Sequence, residues 1–89
     1  MDSWIITAEK MEKFAQHLYQ EERGHATVEK YLREVRQFSA WISEEPVTKE
    51  QVAAWKKYLL SEHYNPATVN GKLAALNSFF HFMGWQECR

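Results

Sequence analysis

An all-α domain of four helices, arranged as two hairpins, is what this sequence predicts, and three observations carry the prediction. Apolar residues recur at steps of three and four along four stretches, most of them opened by a capping residue. Glycine and proline are sparse, three and two in 89 residues, and β-branched runs are few, which argues against sheet. Four Trp, four Tyr and five Phe supply large buried areas, so a chain this short can still assemble a core.

The first helix is expected over residues 7–22, with Thr7 as its cap and Met11, Phe14, Ala15 and Leu18 on its apolar face. Arg23 and Gly24 break it. A second is expected over residues 27–43, where Val28, Leu32, Val35, Phe38 and Ile42 follow at helical steps, flanked by Tyr31 and Trp41; Pro46 separates it from the next. The third, over residues 48–61, opens on Thr48 with Gln51 three residues on, the spacing of a capping box, and turns Val52, Trp55 and Leu59 inward.

The fourth, over residues 66–83, is the most completely marked. Asn65 is a good N-cap, and Pro66 suits the first helical position, where a missing donor costs nothing. Val69, Leu73, Leu76, Phe80 and Met83 fall on one face, widened by Phe79 and Phe82. Gly84 can adopt the left-handed conformation that ends helices, with Trp85 as the apolar contact of a Schellman cap. The opposite face carries Asn70, Lys72, Asn77 and His81 among the small residues Gly71, Ala74, Ala75 and Ser78, with no acidic side chain. Such a face can lie close to a phosphate backbone.

Shifting the chain by 41 residues lays its first half on its second without a gap. Thr7 meets Thr48, Leu18 meets Leu59, Glu21 meets Glu62, and Ala26, Thr27 and Val28 meet Ala67, Thr68 and Val69. Phe14/Trp55, Val35/Leu76, Phe38/Phe79 and Trp41/Phe82 preserve apolar character, so the halves read as two equivalent hairpins. The plainer alternative is the matching period that any two helical hairpins share. On either reading neither hairpin buries its stripe alone, so they must pack on each other.

Composition bounds the function. The net charge of −1 is not that of a typical nucleic-acid binder, but its distribution is uneven. Residues 25–43 and 65–83 each carry a net +1, whereas residues 7–24 and 44–64 each carry −1. The single cysteine, Cys88, excludes an internal disulfide framework and fits a reducing compartment; with no long apolar run and no signal-peptide pattern at the start, a cytoplasmic protein without a membrane partner is expected. His17, His25, His63 and His81 form no metal-ligand pattern, so neither metal nor cofactor is expected. Glu44 and Glu45 read as a solvated loop beside Pro46, and no nucleophile and base are arranged for catalysis.

The stretches ERGHATVEKYLREVRQFSAWI, TKEQVAAWKKYL and above all NPATVNGKLAALNSFFHFMG, in this order and spacing, resemble the N-terminal, SAM-like core-binding domain of tyrosine recombinases, the phage-integrase family. The similarity covers residues 11–83. It implies a single domain, 1–89, excised from a longer integrase, that clamps one side of double-stranded DNA with its second and fourth helices at the major groove. A C-terminal catalytic domain of the same parent chain, carrying the nucleophilic tyrosine and its Arg, Lys and His helpers, would grip the other side. Family members assemble as tetramers on paired sites, while the domain alone is expected to be monomeric and not to cut DNA. Where the family's fourth helix commonly carries basic residues, this chain has Gly71 and Asn77.

On that resemblance the candidate DNA-contacting residues are Thr27, Lys30, Arg33 and Arg36 on the second helix and Thr68, Asn70, Lys72 and Asn77 on the fourth. Hydroxyls at helix starts can cap the helix or meet a phosphate beside exposed amides. The cations suit phosphate or guanine, and Asn suits adenine, although exposed helix charges are more often simply solvated. Glu29 and Glu34 would repel DNA unless paired at helical spacing. Trp4, Trp41, Trp55 and Trp85 are expected in core or edge packing ahead of base stacking. The rival from another class is a helical protein–protein adaptor without DNA binding, which predicts an exposed apolar patch.

Overall fold

Local capping chemistry sets the ends of the helices. The computed structural model describes residues 4–85, and these form α1 (Ala8–Gln20), α2 (His25–Trp41), α3 (Lys49–Ser61) and α4 (Pro66–Met83), with no strand among the described residues. The Thr7 hydroxyl accepts from the Lys10 amide at 3.2 Å and the Asn65 side chain from the Thr68 amide at 2.9 Å. Thr48 and Gln51 form the reciprocal capping box, at 3.1 and 2.9 Å. α4 ends as its sequence predicts: Gly84 lies at φ 76°, its amide bonds His81 O at 3.1 Å, and the Trp85 amide bonds Phe80 O at 2.8 Å. That is the Schellman pair, and Trp85 is buried behind it.

α2 departs from expectation. It begins at His25, two residues before Thr27, with Gly24 as an N-cap that contributes no side-chain hydrogen bond. Thr27 is therefore a half-buried residue of the first turn and does not cap the helix. Thr68 holds the matching place in α4, where its amide is the group that Asn65 caps.

The 41-residue repeat is a repeat of structure. Adding 41 to the ends of α1 gives those of α3, and both hairpin turns pass through a left-handed non-glycine residue at the same register, Glu22 (φ 61°) and His63 (φ 67°). The hairpins pack chiefly α2 against α4, with α1 laid on α2 and α3 on α4. The aromatic contacts repeat too. Phe14 of α1 meets Phe79 and Phe82 of α4 at 5.2 and 5.6 Å, while its counterpart Trp55 of α3 meets Phe38 and Trp41 of α2 at 5.9 and 5.3 Å. Each outer helix thus inserts its largest buried side chain into the other hairpin. Even the cation–π contact at each turn recurs with its roles exchanged, Arg23 over Tyr31 and Lys72 over Tyr64.

Phe14, Leu18, Val28, Val35, Phe38, Leu76, Phe79 and Phe80 are fully buried and make one core. The segment before α1 is tied across it. The Val47 amide bonds Trp4 O at 2.8 Å, and the Trp4 and Trp85 rings stack 5.7 Å apart within 9° of parallel. Trp4 and Trp85 are thus packing residues. Cys88 lies outside the described residues.

Candidate functional site

Where α2 and α4 meet, an open notch of about 370 Å³ is lined by Lys30, Arg33, Glu34 and Gln37 from α2 and by Ala67, Thr68, Gly71 and Lys72 from α4, with Tyr64 at its rim. The local sequence explains its shape. Gly71 has no side chain, so the Lys30 ammonium can lie across α4, 4.0 Å from where a β-carbon would stand. Ala67 and Thr68 keep the adjoining turn low. Lys30 and Arg33 are exposed.

Lys72 is not. It is 8% exposed, and its ammonium donates to Glu34 Oε1 at 3.2 Å and to Gln37 Oε1 at 3.0 Å while sitting 5.1 Å from the Tyr64 ring centre. The expectation that Lys72 belongs to the outward polar face of the fourth helix is corrected by this burial. Glu34 is corrected with it: the carboxylate is 7% exposed and pairs across helices with Lys72, not along its own helix. Glu29 has a neighbour at helical spacing, its carboxylate lying 3.8 Å from His25 Nε2, which makes an ion pair when the imidazole is protonated. Neutralising Glu34 in this way removes the repulsion it would otherwise direct at an anion in the notch. Three cations and one carboxylate remain there, so the notch is positive in a chain whose net charge is −1.

The structure therefore brings Lys30, Arg33, Thr68 and Lys72 together. Asn70 and Asn77 are exposed on a different strip of α4, two turns apart on one face. Arg36 lines another cleft, between α1 and α2, with Glu12 and Glu44. Thr27 sits in the first turn of α2, outside the notch lining. Neither α2 nor α4 has an acidic residue in its first turn, whereas α1 and α3 have Glu9 and Glu50. The positive ends of the two inner helices are thus left unneutralised by their own side chains.

Reading the sequence missed Gln37, Tyr64 and the Glu34–Lys72 pair. A signal for the burial of each charge existed, though not for their pairing. Lys72 follows Val69 by three residues and precedes Leu76 by four, and Glu34 stands likewise between Tyr31 and Phe38, so each charge interrupts an apolar stripe. No group of His, Cys, Asp and Glu among the described residues could hold a metal ion, and no helix there is long and apolar enough to cross a membrane.

No curated protein and no solved structure matched the chain. A family model did: the phage integrase N-terminal SAM-like domain matches residues 11–87, from the first buried residue of α1 to beyond the Schellman cap of α4. That span takes in both hairpins and the notch between them, and on it the chain belongs to the family of N-terminal SAM-like domains of phage integrases.

Proposed function

We propose that this domain binds double-stranded DNA for a site-specific tyrosine recombinase, holding the core site against a C-terminal catalytic domain that does the strand cleavage and rejoining. The observation that carries the reading is the positive notch between α2 and α4, where the exposed Lys30 and Arg33 flank a low, small-residue surface. Phosphate neutralisation by such cations supplies most non-specific affinity, and unneutralised helix starts add to it. In this reading Lys30 and Arg33 take phosphates and Thr68 offers its hydroxyl beside them. Asn70 and Asn77, on the exposed strip of α4, reach base edges; Arg36 and Thr27 stand at the margin. Lys72 acts from below, holding Glu34 and Gln37 in place.

The test is titration of the 89-residue chain with fluorescein-labelled random-sequence duplex across a range of salt. Binding should weaken with salt, and Lys30→Glu with Arg33→Glu should lower affinity at least about tenfold and flatten the salt slope by about 2. Absence of salt-dependent binding, or no loss in the double variant, overturns the reading. The rival adaptor reading draws on the exposed aromatic side chains Trp41, Tyr58 and Tyr64, and it predicts no response to DNA.

A further inference from the structure

A second cleft, of about 390 Å³, opens beside the notch and shares Gln37 and Tyr64 with it. Trp41, Tyr58 and Tyr64 line it above Trp55, and none of its lining residues is acidic. The three upper rings are 38%, 39% and 42% exposed, a large apolar exposure for so small a domain. Packing does not require it. The repeat places Phe82 and His17 where Trp41 and Tyr58 stand, and there the two rings, 4.7 Å apart, are half-buried.

Two of the exposed rings, Trp41 and Tyr58, are also packed against one another and against Trp55. Trp41 lies 5.5 Å from Tyr58, and Trp55 stacks on Tyr58 at 5.7 Å within 20° of parallel. Little rotamer freedom would be lost when a flat ligand settles on them. Trp55 is 5% exposed, and its indole N–H has no acceptor among the described residues. A ligand that fits cleft and notch together has a flat, hydrogen-bonding aromatic group joined to an anion, which is the chemistry of a nucleotide.

We propose that the Trp41–Tyr58–Tyr64 cleft stacks an unpaired base of the bound DNA while Lys30 and Arg33 hold the adjoining phosphates; this rests on reading the notch as a DNA site. Base–aromatic stacking next to a cationic track is how sequence-tolerant strand binding is built. It gives the domain a preference for duplex that is locally opened over duplex that is fully paired.

The experiment measures binding of the 89-residue chain to three labelled probes: a paired duplex, the same duplex with one unpaired thymine, and oligothymidine. The wild type should bind the bulged duplex more tightly than the paired one. Trp41→Leu should weaken the bulged and single-stranded probes by about tenfold and leave the paired duplex unchanged, while Trp41→Phe, which keeps a ring, should retain most of the affinity. Thermal melts verify that both variants fold. Binding of all three probes by Trp41→Leu unchanged from the wild type overturns the proposal, as does an equal loss on all three. If the paired duplex still depends on Lys30 and Arg33, only the cleft assignment falls; if no probe binds, both do. A change in self-association on Trp41→Leu, with bulge binding intact, would make the cleft a protein contact and overturn the proposal.

Discussion

Lys72 and Glu34 stand on different helices, 38 residues apart, and each is almost wholly removed from water by the α2–α4 contact. Taking two charges out of water is costly, and close contact with further hydrogen bonds repays that cost. Gln37 supplies one such bond and the Tyr64 ring face another favourable contact. Removing one partner should therefore hurt far more than removing both. Lys72→Met is expected to destabilise by about 3–5 kcal/mol in urea unfolding, a large share of what a domain of this size has, because Glu34 is left buried and unpaired. Adding Glu34→Leu should restore most of the loss. If the single and double variants unfold at the same urea concentration, the pair is not a coupled unit. A loss of DNA binding in a Lys72 variant thus has to be separated from unfolding, which Lys30 and Arg33 variants avoid because both residues are exposed. Sequence pattern misplaced Lys72 because a charge on an amphipathic helix is normally solvated, and its partner lies too far along the chain to be seen from any local window.

At the scale of the helix, capping was legible and register at an uncapped end was not. Thr7, Thr48 and Asn65 each carry an oxygen that accepts an amide three residues on, and those three helices start where that chemistry places them. Gly24 offers no such oxygen, so nothing in the sequence marks the start of α2, and Thr27 stood in for a cap it does not form. Thr48→Ala removes the hydroxyl that accepts the Gln51 amide, leaving only the Thr48 amide to Gln51 half of the capping box, and should cost about 1 kcal/mol, read as a lower urea midpoint at unchanged slope. The hairpin turns offer the opposite effect. His63 holds φ 67°, a conformation that penalises a side chain, so His63→Gly should stabilise by about 0.5–1 kcal/mol. A loss of stability instead would mean that the imidazole makes a contact worth more than the strain it brings.

At the scale of the molecule, the repeat explains why the fold was readable and the site was not. Both hairpins use helix lengths that agree to within one residue, the same turn register and the same inner aromatic positions, so the apolar periods alone specify the architecture. The notch, in contrast, arises from positions where the halves differ. Under the 41-residue shift, Lys30 corresponds to Gly71 and Arg33 to Ala74, and Glu34 corresponds to Ala75; the positive notch exists because one half is charged where the other is small. No pattern within either half reveals that pairing. The same exchange makes the halves interdependent. Phe14 is fully buried, yet its ring contacts are Phe79 and Phe82 of the other hairpin, and Phe38 likewise relies on Trp55 and Phe80. A peptide of residues 1–46 would expose Phe14, Phe38 and the α2 stripe, and two short helices joined by one turn are marginal in water without a partner surface. Each half alone is therefore expected to show little helical circular dichroism and no cooperative melt, whereas an equimolar mixture of residues 1–46 and 47–89 should regain helix content that rises with concentration. A sharp thermal transition in either half by itself would show that the hairpin is the folding unit, and that the repeat was joined from parts already stable alone.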